Sequence, residues 1–361
     1  MKKEERVPYI LENFNRQAFQ NQLIEWFMKE QRILPWRENQ DPYRVWVSEI
    51  MLQQTRVDTV IPYFNNFLEK FPTPEALAEA DEQAVLKAWE GLGYYSRARN
   101  LQNAVREVVE KYEGQIPDNK AKLSELKGVG PYTKGAILSI AYDQPEPAVD
   151  GNVMRVLSRI LLVEDDIAKA STKKLFEFLI HDLISYEDPS SFNQGLMELG
   201  AIICTPKSPS CLLCPVQSEC RAFQEGRESE LPIKTSKKKQ KNQPYMALLI
   251  ENDQGEVLIE QRPSNGLLAS LWQYPMVPMS DIQKKDIPSW FYSEFGLEIE
   301  LGNTVDQIRH VFSHLIWNME VKKAQIQTGH LEKSNTKFVA KEDILSYPFP
   351  VSHQKVHKHL K

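Results

Sequence analysis

The first 224 residues repeat apolar side chains at the three- and four-residue spacing of amphipathic helices. Helices are predicted over residues 17–30, 44–56, 75–89, 97–112, 131–141, 152–162, 172–185 and 190–203. Start signals agree with several of these segments, because Asp41, Thr73 and Gly130 each precede a proline that can occupy the first helical position. Residues 1–224 are therefore predicted to form one all-α domain.

Beyond residue 243 the pattern changes to short runs that are typical of β-strands. Residues 246–250 and 257–260 flank the turn sequence Asn-Asp-Gln-Gly at 252–255, which predicts a hairpin. Further strands are predicted at 311–321 and 337–339. The expected fold class is thus multidomain, with an all-α domain followed by an α+β domain over residues 244–361.

Residues 225–243 are predicted to be a basic linker between these domains. From Leu231 to Gln243 there is no acidic residue and no apolar periodicity. The same stretch carries five lysines: Lys234, Lys237, Lys238, Lys239 and Lys241. Two interpretations stay open, because these lysines could serve solubility or could follow the phosphates of a nucleic acid.

Composition sets wide limits. The chain has 361 residues, of which 42% are hydrophobic and 26% charged, and this is ordinary for a globular protein. A formal net charge of −5 does not indicate a nucleic-acid binder, but a basic face can coexist with an acidic remainder. The first residues lack the apolar core of a signal peptide, and no stretch is long and apolar enough to cross a membrane. We expect a cytoplasmic protein.

The four cysteines of the chain fall in the window 204–220, with the spacing C-x6-C-x2-C-x5-C. Four thiolates on a short loop with several prolines can converge on a soft metal centre, either a tetrahedral zinc ion or an iron–sulfur cubane. Two disulfides are the alternative, and a reducing compartment disfavours them. Spacing alone slightly favours zinc. The four candidate ligands are Cys204, Cys211, Cys214 and Cys220.

Residues 123–136 read as two short helices joined by a Gly128-Val129-Gly130 turn. Glycines permit backbone angles that side chains forbid, and free N–H groups at the start of the second helix attract an anion. This is the helix–hairpin–helix device, which holds a DNA phosphate without reading sequence. An ordinary helix–turn–helix packing element is the alternative.

Two carboxylates are candidates for acid–base chemistry. Asp150 precedes an apolar helical run, so it is expected to cap that helix, and the N–H bonds that it accepts are expected to lower its pKa. Glu49 lies among apolar residues, either at an exposed helix position or in a cleft where desolvation would raise its pKa. In the second case the two groups form a pair with opposed pKa shifts, an arrangement used to break glycosidic bonds.

Residues from about 15 to 225 closely resemble the MutY-type adenine DNA glycosylases of base excision repair, within the helix–hairpin–helix glycosylase superfamily. The matching segments are LPWR (34–37), SEIMLQQT (48–55), WEGLGYYSRARNL (89–101), GVGPYT (128–133), VDGNVMR (149–155) and the cysteine quartet. The resemblance implies a [4Fe–4S] cluster rather than zinc. It also implies a monomer that acts on double-stranded DNA with adenine opposite 8-oxoguanine or guanine, and the reacting base must leave the helix.

The resemblance also implies residue roles. Glu49 protonates adenine N7, Asp150 stabilises the oxocarbenium ion, and Tyr132 and Asn152 support them. The pocket for the extruded adenine corresponds to Arg32, Leu34, Trp36, Arg37, Val57 and Gln194. The residues that push into the base stack correspond to Gln54 and Tyr94, and the turn that holds a phosphate to Gly128 and Gly130.

One departure from related enzymes bears on strand cleavage. In bifunctional glycosylases, the second residue after the Gly-Val-Gly turn is a lysine that forms a Schiff base. This chain has Tyr132 at that position. Lys134 lies two residues further, rotated about 200° around a helix. Base removal without efficient strand cleavage is therefore expected.

Residues 246–275 resemble the Nudix-like domain of the same family. The stretch 280–296 lacks the glutamate cluster with which Nudix hydrolases hold magnesium, so a binding domain without hydrolysis is expected. Phe312, Ser313 and His314 match the family's loop that senses 8-oxoguanine; a strand segment or a hairpin turn is the alternative. Two other functions stay open for the whole chain: another helix–hairpin–helix mismatch glycosylase, or a non-enzymatic DNA-structure binder.

Overall fold

The structure, a computed structural model, describes residues 2–235 and 240–360. Three lysines of the predicted linker, Lys237, Lys238 and Lys239, lie outside the described residues. The chain divides into two compact units: Met1–Ala78 with Asn100–Ser236, and Glu79–Arg99 with Lys237–Lys361. Residues 79–99 thus group with the C-terminal part, whereas the predicted contiguous domain limits at residues 224 and 244 would leave them in the first domain. Those limits stay a prediction.

The N-terminal part of the chain is helical. Its helices are α1 (Val7–Ile10), α2 (Arg16–Glu30), α3 (Pro42–Leu52), α4 (Val57–Lys70), α5 (Pro74–Glu79), α6 (Glu82–Ala88), α7 (Ser96–Tyr112), α8 (Lys120–Glu125), α9 (Pro131–Ala136), α10 (Gly151–Ile160), α11 (Ala170–Leu183), α12 (Pro189–Ile202) and α13 (Arg221–Gln224). A π-helical turn (Ile137–Ala141) continues α9. Side-chain caps set several starts: Asp41 accepts from the N–H of Arg44 at 2.8 Å, and Asp188 from that of Ser191 at 2.8 Å. The all-α expectation is confirmed for this part.

The helix boundaries differ from the prediction in three places. The segment 75–89 is two helices, because Asp81 caps a new helix by accepting from the N–H of Gln83 at 3.0 Å. Helix α3 ends at Leu52, four residues before the predicted end. Helix α4 was not predicted. Pro62 inside it removes a backbone donor, yet the fully buried Val60 and Phe64 hold the segment helical.

Two apolar clusters of the first unit hold the helices that carry the candidate site. The larger one joins α2, α10, α11 and α12 through fully buried side chains such as Leu23, Leu157, Phe176 and Leu196. Burying each such side chain contributes about 1.5–3 kcal/mol. A smaller cluster centred on Ala136 ties α3 to α9 and to the π-helical turn. The N-terminal ends of α9 and α10 and the middle of α3 are thereby fixed.

The second unit contains a seven-stranded mixed sheet with the order β3-β2-β1-β6-β5, to which β4 adds beside β1 and β7 beside β2. Its strands are β1 (Lys241–Glu251), β2 (Val257–Gln261), β3 (Trp272–Gln273), β4 (Met276–Pro278), β5 (Leu297–Val311), β6 (Leu315–Gly329) and β7 (Thr336–Val339). β1 and β6 run parallel, from Lys241 opposite Leu315 to Glu251 opposite Gln325. Helix α14 (Ile287–Phe295) packs on one face, and α15 (Val351–Gln354) lies near the C-terminus. The α+β expectation is confirmed.

The predicted strand 311–321 is wrong as a single strand. Residues 312–314 form the tight turn of the long β5–β6 hairpin, and the strands on either side extend well beyond the predicted limits. Exposed polar residues interrupt the apolar pattern of both strands. The pattern therefore predicts a strand only where β6 is most buried.

Among residues 2–235 and 240–360, no helix combines the length and the apolar character that a bilayer crossing requires.

Candidate active site

A cavity of about 620 Å³ opens in the first unit between α3, α9, α10 and α12. Every residue that the sequence proposes for catalysis or for the base pocket lines it. The catalytic candidates there are Glu49, Tyr132, Asp150 and Asn152. The pocket candidates there are Arg32, Leu34, Trp36, Arg37, Val57 and Gln194. Gln54, Gly128 and Gly130 line the same cavity. Residues separated by more than 160 positions in the chain, such as Arg32 and Gln194, therefore meet in one space.

Glu49 lies inside the cavity wall and not at the exposed helix position that was the alternative. It is 5% exposed, and the hydroxyl of Tyr132 donates a 2.5 Å hydrogen bond to its Oε2. Burial, partly offset by this hydrogen bond, raises the pKa of Glu49 from its ordinary 4.5 to about 7. Glu49 can therefore hold a proton near neutral pH and give it to a bound group.

Asp150 caps α10, as the sequence predicts. Its Oδ1 accepts from the N–H of Val153 at 2.7 Å and its Oδ2 from the Asn152 side chain at 3.0 Å. The expected lowering of its pKa is wrong. Burial outweighs these hydrogen bonds, a further one from the backbone of Asn152 and the positive charge of Arg155, so the pKa of Asp150 is raised above its ordinary value, and the two carboxylates do not have opposed shifts. Asp150 accepts more hydrogen bonds than Glu49, and these bonds oppose the effect of burial on its pKa.

Tyr132 faces the two carboxylates from the second residue of α9. Burial raises the pKa of its hydroxyl well above 10, with Glu49 adding to the rise, so Tyr132 stays a donor at neutral pH. Lys134 behaves as the helical rotation predicts: its Nζ donates to Ser124 Oγ at 2.8 Å, and it does not line the cavity. A different lysine, Lys173 of α11, lines the cavity wall.

Asn152 links Asp150 to a buried arginine. Its Oδ1 accepts from Nη2 of Arg155 at 2.9 Å, and the same Nη2 donates to the carbonyl oxygen of Gly200 at 2.7 Å. Gly200 allows this approach, because a Cβ there would lie 2.9 Å from that of Asn152. The orientation of Asn152 is thus fixed from α12 as well as from α10.

The arginine wall of the cavity rests on Glu198, which the sequence analysis did not single out. Burial opposes ionisation of Glu198, but hydrogen bonds from Arg32 and Arg37 lower its pKa to about 2. The N–O distances are 2.7 Å for Arg32 Nε and 2.9 Å for Arg37 Nη2. One sequence signal existed: Gln194 and Glu198 are four residues apart, so both polar groups share one face of α12.

At the helix–hairpin–helix turn, Gly128 has the backbone angle that was predicted for both glycines, whereas Gly130 has a φ of −81°, which any residue can adopt. Helix α8 ends at Glu125 and α9 begins at Pro131. Gly128 has a φ of +86°, which glycine adopts without strain, and a Cβ at this residue would lie 3.1 Å from that of Asn100. Gln54, at the rim of the cavity, is exposed and also left-handed, with a φ of +61°. A non-glycine residue held in this region costs of order 1 kcal/mol, a feature that clusters at ligand-binding positions.

All four cysteines are unpaired thiols, so the disulfide alternative is not realised. They line one small pocket, where Arg159 Nη1 donates to Cys204 Sγ at 3.2 Å. Within the described ranges, no three His, Cys, Asp or Glu side chains are close enough to hold a single ion. Zinc would need all four sulfurs about 2.3 Å from one ion, whereas a cubane binds each thiolate through a different iron. Four thiols that line one pocket are the donor set that an iron–sulfur cluster uses.

In the second unit, the candidate lesion loop is the turn between β5 and β6. Ser313 Oγ and the hydroxyl of Tyr94 are 2.7 Å apart and hydrogen-bonded. Phe312 is half-buried and packs edge-on against Trp317, with ring centroids 4.9 Å apart. His314 is exposed. Tyr94 has a left-handed φ of +48°.

The comparisons with known proteins find matches to both parts of the chain. A family described as "HhH-GPD superfamily base excision DNA repair protein" matches residues 47–181, and one described as "NUDIX domain" matches 246–359. An adenine DNA glycosylase of Rattus norvegicus is 36% identical, with 88% of this chain and 72% of that protein covered. This chain belongs to the adenine DNA glycosylase family. The adenine DNA glycosylase of Schizosaccharomyces pombe is 33% identical, with 83% of this chain and 80% of that protein covered.

A solved thermostable thymine-DNA glycosylase is 27% identical with a TM-score of 0.52, and the match covers 58% of this chain and 97% of that one. That similarity shows the helical fold but stops short of the Nudix-like part. The relatives that extend across both parts are adenine DNA glycosylases, so this glycosylase is an enzyme of base excision repair that cleaves an N-glycosidic bond to adenine. The hypotheses of another mismatch glycosylase and of a non-enzymatic binder lose their support.

Proposed function

We propose that this adenine DNA glycosylase removes adenine paired with 8-oxoguanine or guanine from double-stranded DNA, without efficient strand cleavage. The observation that carries the proposal is the buried Glu49, whose pKa of about 7 allows it to act as a proton donor at neutral pH. An ordinary surface glutamate would be ionised there and could not protonate a leaving base. The cavity around Glu49 has the volume to take a purine out of the duplex.

The extruded adenine would lie between apolar and cationic walls. Leu34, Trp36 and Val57 supply the apolar surface, and Arg32 and Arg37 supply N–H donors, which suit the acceptor nitrogens of adenine. Gln194 is held by Arg37, because Arg37 Nε donates to Gln194 Oε1 at 3.1 Å.

In the proposed reaction Glu49 gives its proton to N7 of adenine. The N9–C1′ bond then breaks, its electron pair leaves with the base, and positive charge develops on the deoxyribose. The carboxylate of Asp150 stabilises that charge; water then adds to C1′ and gives its proton to the Glu49 carboxylate, which restores the acid. Tyr132 positions the Glu49 carboxyl, and Asn152 positions that of Asp150, through the hydrogen bonds described above.

The partner base would be read by the second unit and by residues at the cavity rim. Gln54 and Tyr94 would enter the base stack, and Ser313 and His314 would contact 8-oxoguanine, which differs from guanine by a donor at N7 and an oxygen at C8. The hydrogen bond between Tyr94 and Ser313 supports a shared role for these two residues. Gly128 and Gly130 would hold a phosphate.

The four cysteines would hold a [4Fe–4S] cluster. When bound, the cluster would tie together the four cysteines of the loop of residues 204–220, and no step of the reaction is assigned to it. Two further expectations from the sequence, a cytoplasmic location and a monomeric state, stay predictions.

One assay tests the proposal. Single-turnover reactions use duplexes with adenine opposite 8-oxoguanine, guanine or thymine, and with thymine or uracil opposite guanine; products are resolved with and without alkali. We expect base loss only from adenine opposite 8-oxoguanine or guanine, with strand breaks that need alkali. Excision of thymine or uracil, or breaks without alkali, would contradict it.

A further inference from the structure

The carboxylate of Glu198 makes contacts with both arginines of the cavity wall. Glu198 lies on α12 and is 1% exposed. Its Oε1 accepts from the backbone N–H of Arg32 at 3.1 Å and from Arg32 Nε at 2.7 Å. Its Oε2 accepts from Arg32 Nη2 at 3.0 Å and from Arg37 Nη2 at 2.9 Å. Four donors therefore meet two oxygens, which uses the full acceptor capacity of the group.

The same network fixes the remaining parts of Arg37. Its Nη1 donates to the carbonyl oxygen of Arg32 at 3.1 Å and its Nε to Gln194 Oε1 at 3.1 Å. Gln194 in turn donates to Ser190 Oγ at 3.2 Å, and the guanidinium lies over the ring of Phe27 at 5.1 Å. Three of the five N–H groups of Arg37 thus have partners in the described part of the chain, and two remain for a ligand.

We propose that Glu198 is a positioning residue for base recognition, whose carboxylate sets Arg32 and Arg37 side by side with their remaining N–H groups directed to the extruded base. The inference rests on the proposed function, in which these arginines line the adenine pocket. Without the carboxylate, two guanidinium groups would face each other across the pocket wall and repel. Their side chains would then move away from the cavity or from each other.

Glu198 also balances charge close to the proton donor. The positive charge of Arg37 lowers the pKa of Glu49, against the stronger effect of burial. An ionised Glu198 offsets part of that positive charge, which favours the protonated form of Glu49 that the reaction needs. The trio of Glu198, Arg32 and Arg37 keeps one net positive charge beside the base.

Two substitutions test this role. Glu198→Gln keeps the shape and removes the charge, and Glu198→Asp keeps the charge but withdraws the carboxylate by one methylene. The matched control is Asp165→Asn, because Asp165 accepts 2.6 Å bonds from both Lys3 and Arg6 but does not line the cavity. Unfolding in urea, measured on all variants, reports the part of any loss that comes from stability.

Two duplexes separate base recognition from general DNA binding. One carries 2′-fluoro-2′-deoxyadenosine opposite 8-oxoguanine, whose glycosidic bond resists cleavage, and the other carries a tetrahydrofuran abasic site, which has no base. We expect Glu198→Gln to lower the affinity ratio of the first duplex to the second about tenfold, the equivalent of one charge-assisted hydrogen bond. Glu198→Asp should lower it less, and Asp165→Asn should leave it unchanged.

An unchanged ratio in Glu198→Asp and in any folded Glu198→Gln protein would overturn the inference, and so would equal losses on both duplexes. Arg32→Ala and Arg37→Ala separate this failure from that of the proposed function. If the arginine variants lower the ratio and the Glu198 variants do not, only the positioning role fails. If neither arginine affects the ratio, the assignment of the adenine pocket fails as well.

Discussion

Glu49→Gln should make the protein less active and more stable, and the gain in stability should grow with pH. The substitution keeps an oxygen to accept the hydrogen bond of Tyr132 but removes the proton that the leaving base needs. Loss of general acid catalysis alone is worth about 10²–10⁴-fold in rate. We therefore expect single-turnover excision to fall at least this far, while binding to the lesion duplex persists.

The stability effect follows from the raised pKa. Below pH 4.5 the carboxyl is protonated in the folded and the unfolded chain alike. Between pH 4.5 and about 7 the unfolded chain gives up the proton while the folded site keeps it, so the free energy of unfolding falls as pH rises. At about 1.4 kcal/mol per pH unit, the loss over this interval of 2.5 units reaches at most about 3.5 kcal/mol above pH 7. Glutamine does not titrate and escapes this loss.

Urea unfolding of both proteins, followed by tryptophan fluorescence at pH 5 and pH 8, measures the effect. We expect the variant to be more stable by about 1–3 kcal/mol at pH 8 and to differ by less than about 1 kcal/mol at pH 5. Glu187→Gln, which removes an exposed carboxyl, is the control for loss of a negative charge. A stability difference that does not change with pH would refute the buried proton donor, and so would near-normal excision by Glu49→Gln.

Four further outcomes are expected. Asp150→Asn should still cap α10, because asparagine is a good N-cap, but a neutral amide cannot offset developing positive charge; a wild-type single-turnover rate would reduce Asp150 to a helix cap. Ser313→Ala should slightly lower the preference for 8-oxoguanine over guanine, since one hydrogen bond is worth about 0.5–1.5 kcal/mol. Adding His314→Ala should lower this preference much further. Equal losses of excision on both substrates would mean that the loop supports general DNA binding. Lys173 lines the cavity, and a contact with a DNA phosphate predicts that Lys173→Ala reduces the slope of log affinity against log salt by about 0.9. The control Lys174→Ala, on the exposed side of α11, should leave that slope unchanged. Equal slopes for Lys173→Ala and the unsubstituted protein would exclude the phosphate contact. Anaerobically purified protein should contain about four irons with sulfide, and one zinc without iron would contradict the cluster.

Local features of the fold could be predicted because they depend on neighbouring residues. Asp41 before Pro42, and Gly128 before a proline-initiated helix, define a start and a turn within a few positions. The cysteine spacing likewise restricts the loop of residues 204–220 to a shared pocket. Helix α4 was not predicted, because Pro62 is a local signal against a helix. The burial of Val60 and Phe64, which keeps the segment helical, depends on helices that are distant in the sequence.

The candidate site divides in the same way. Motifs identified Glu49 and Asp150, and with them the family, because the chemistry requires these residue types near a helix–hairpin–helix turn. The sequence misjudged Asp150, since hydrogen bonds at a helix start can be predicted locally but desolvation by the cavity wall cannot. It also missed Glu198, whose partner Arg32 lies 166 positions away.

The sequence by itself determined the succession of an all-α part and an α+β part, several helix caps, the turn at Gly128, the cysteine quartet and the family. Only the tertiary structure decided which carboxyl groups are buried, in which direction their pKa values move, and which arginines share Glu198. The physical reason is the distance along the sequence over which each interaction acts. Periodicity and capping act over three or four residues, whereas desolvation and ion pairing depend on side chains that folding brings together from distant parts of the chain.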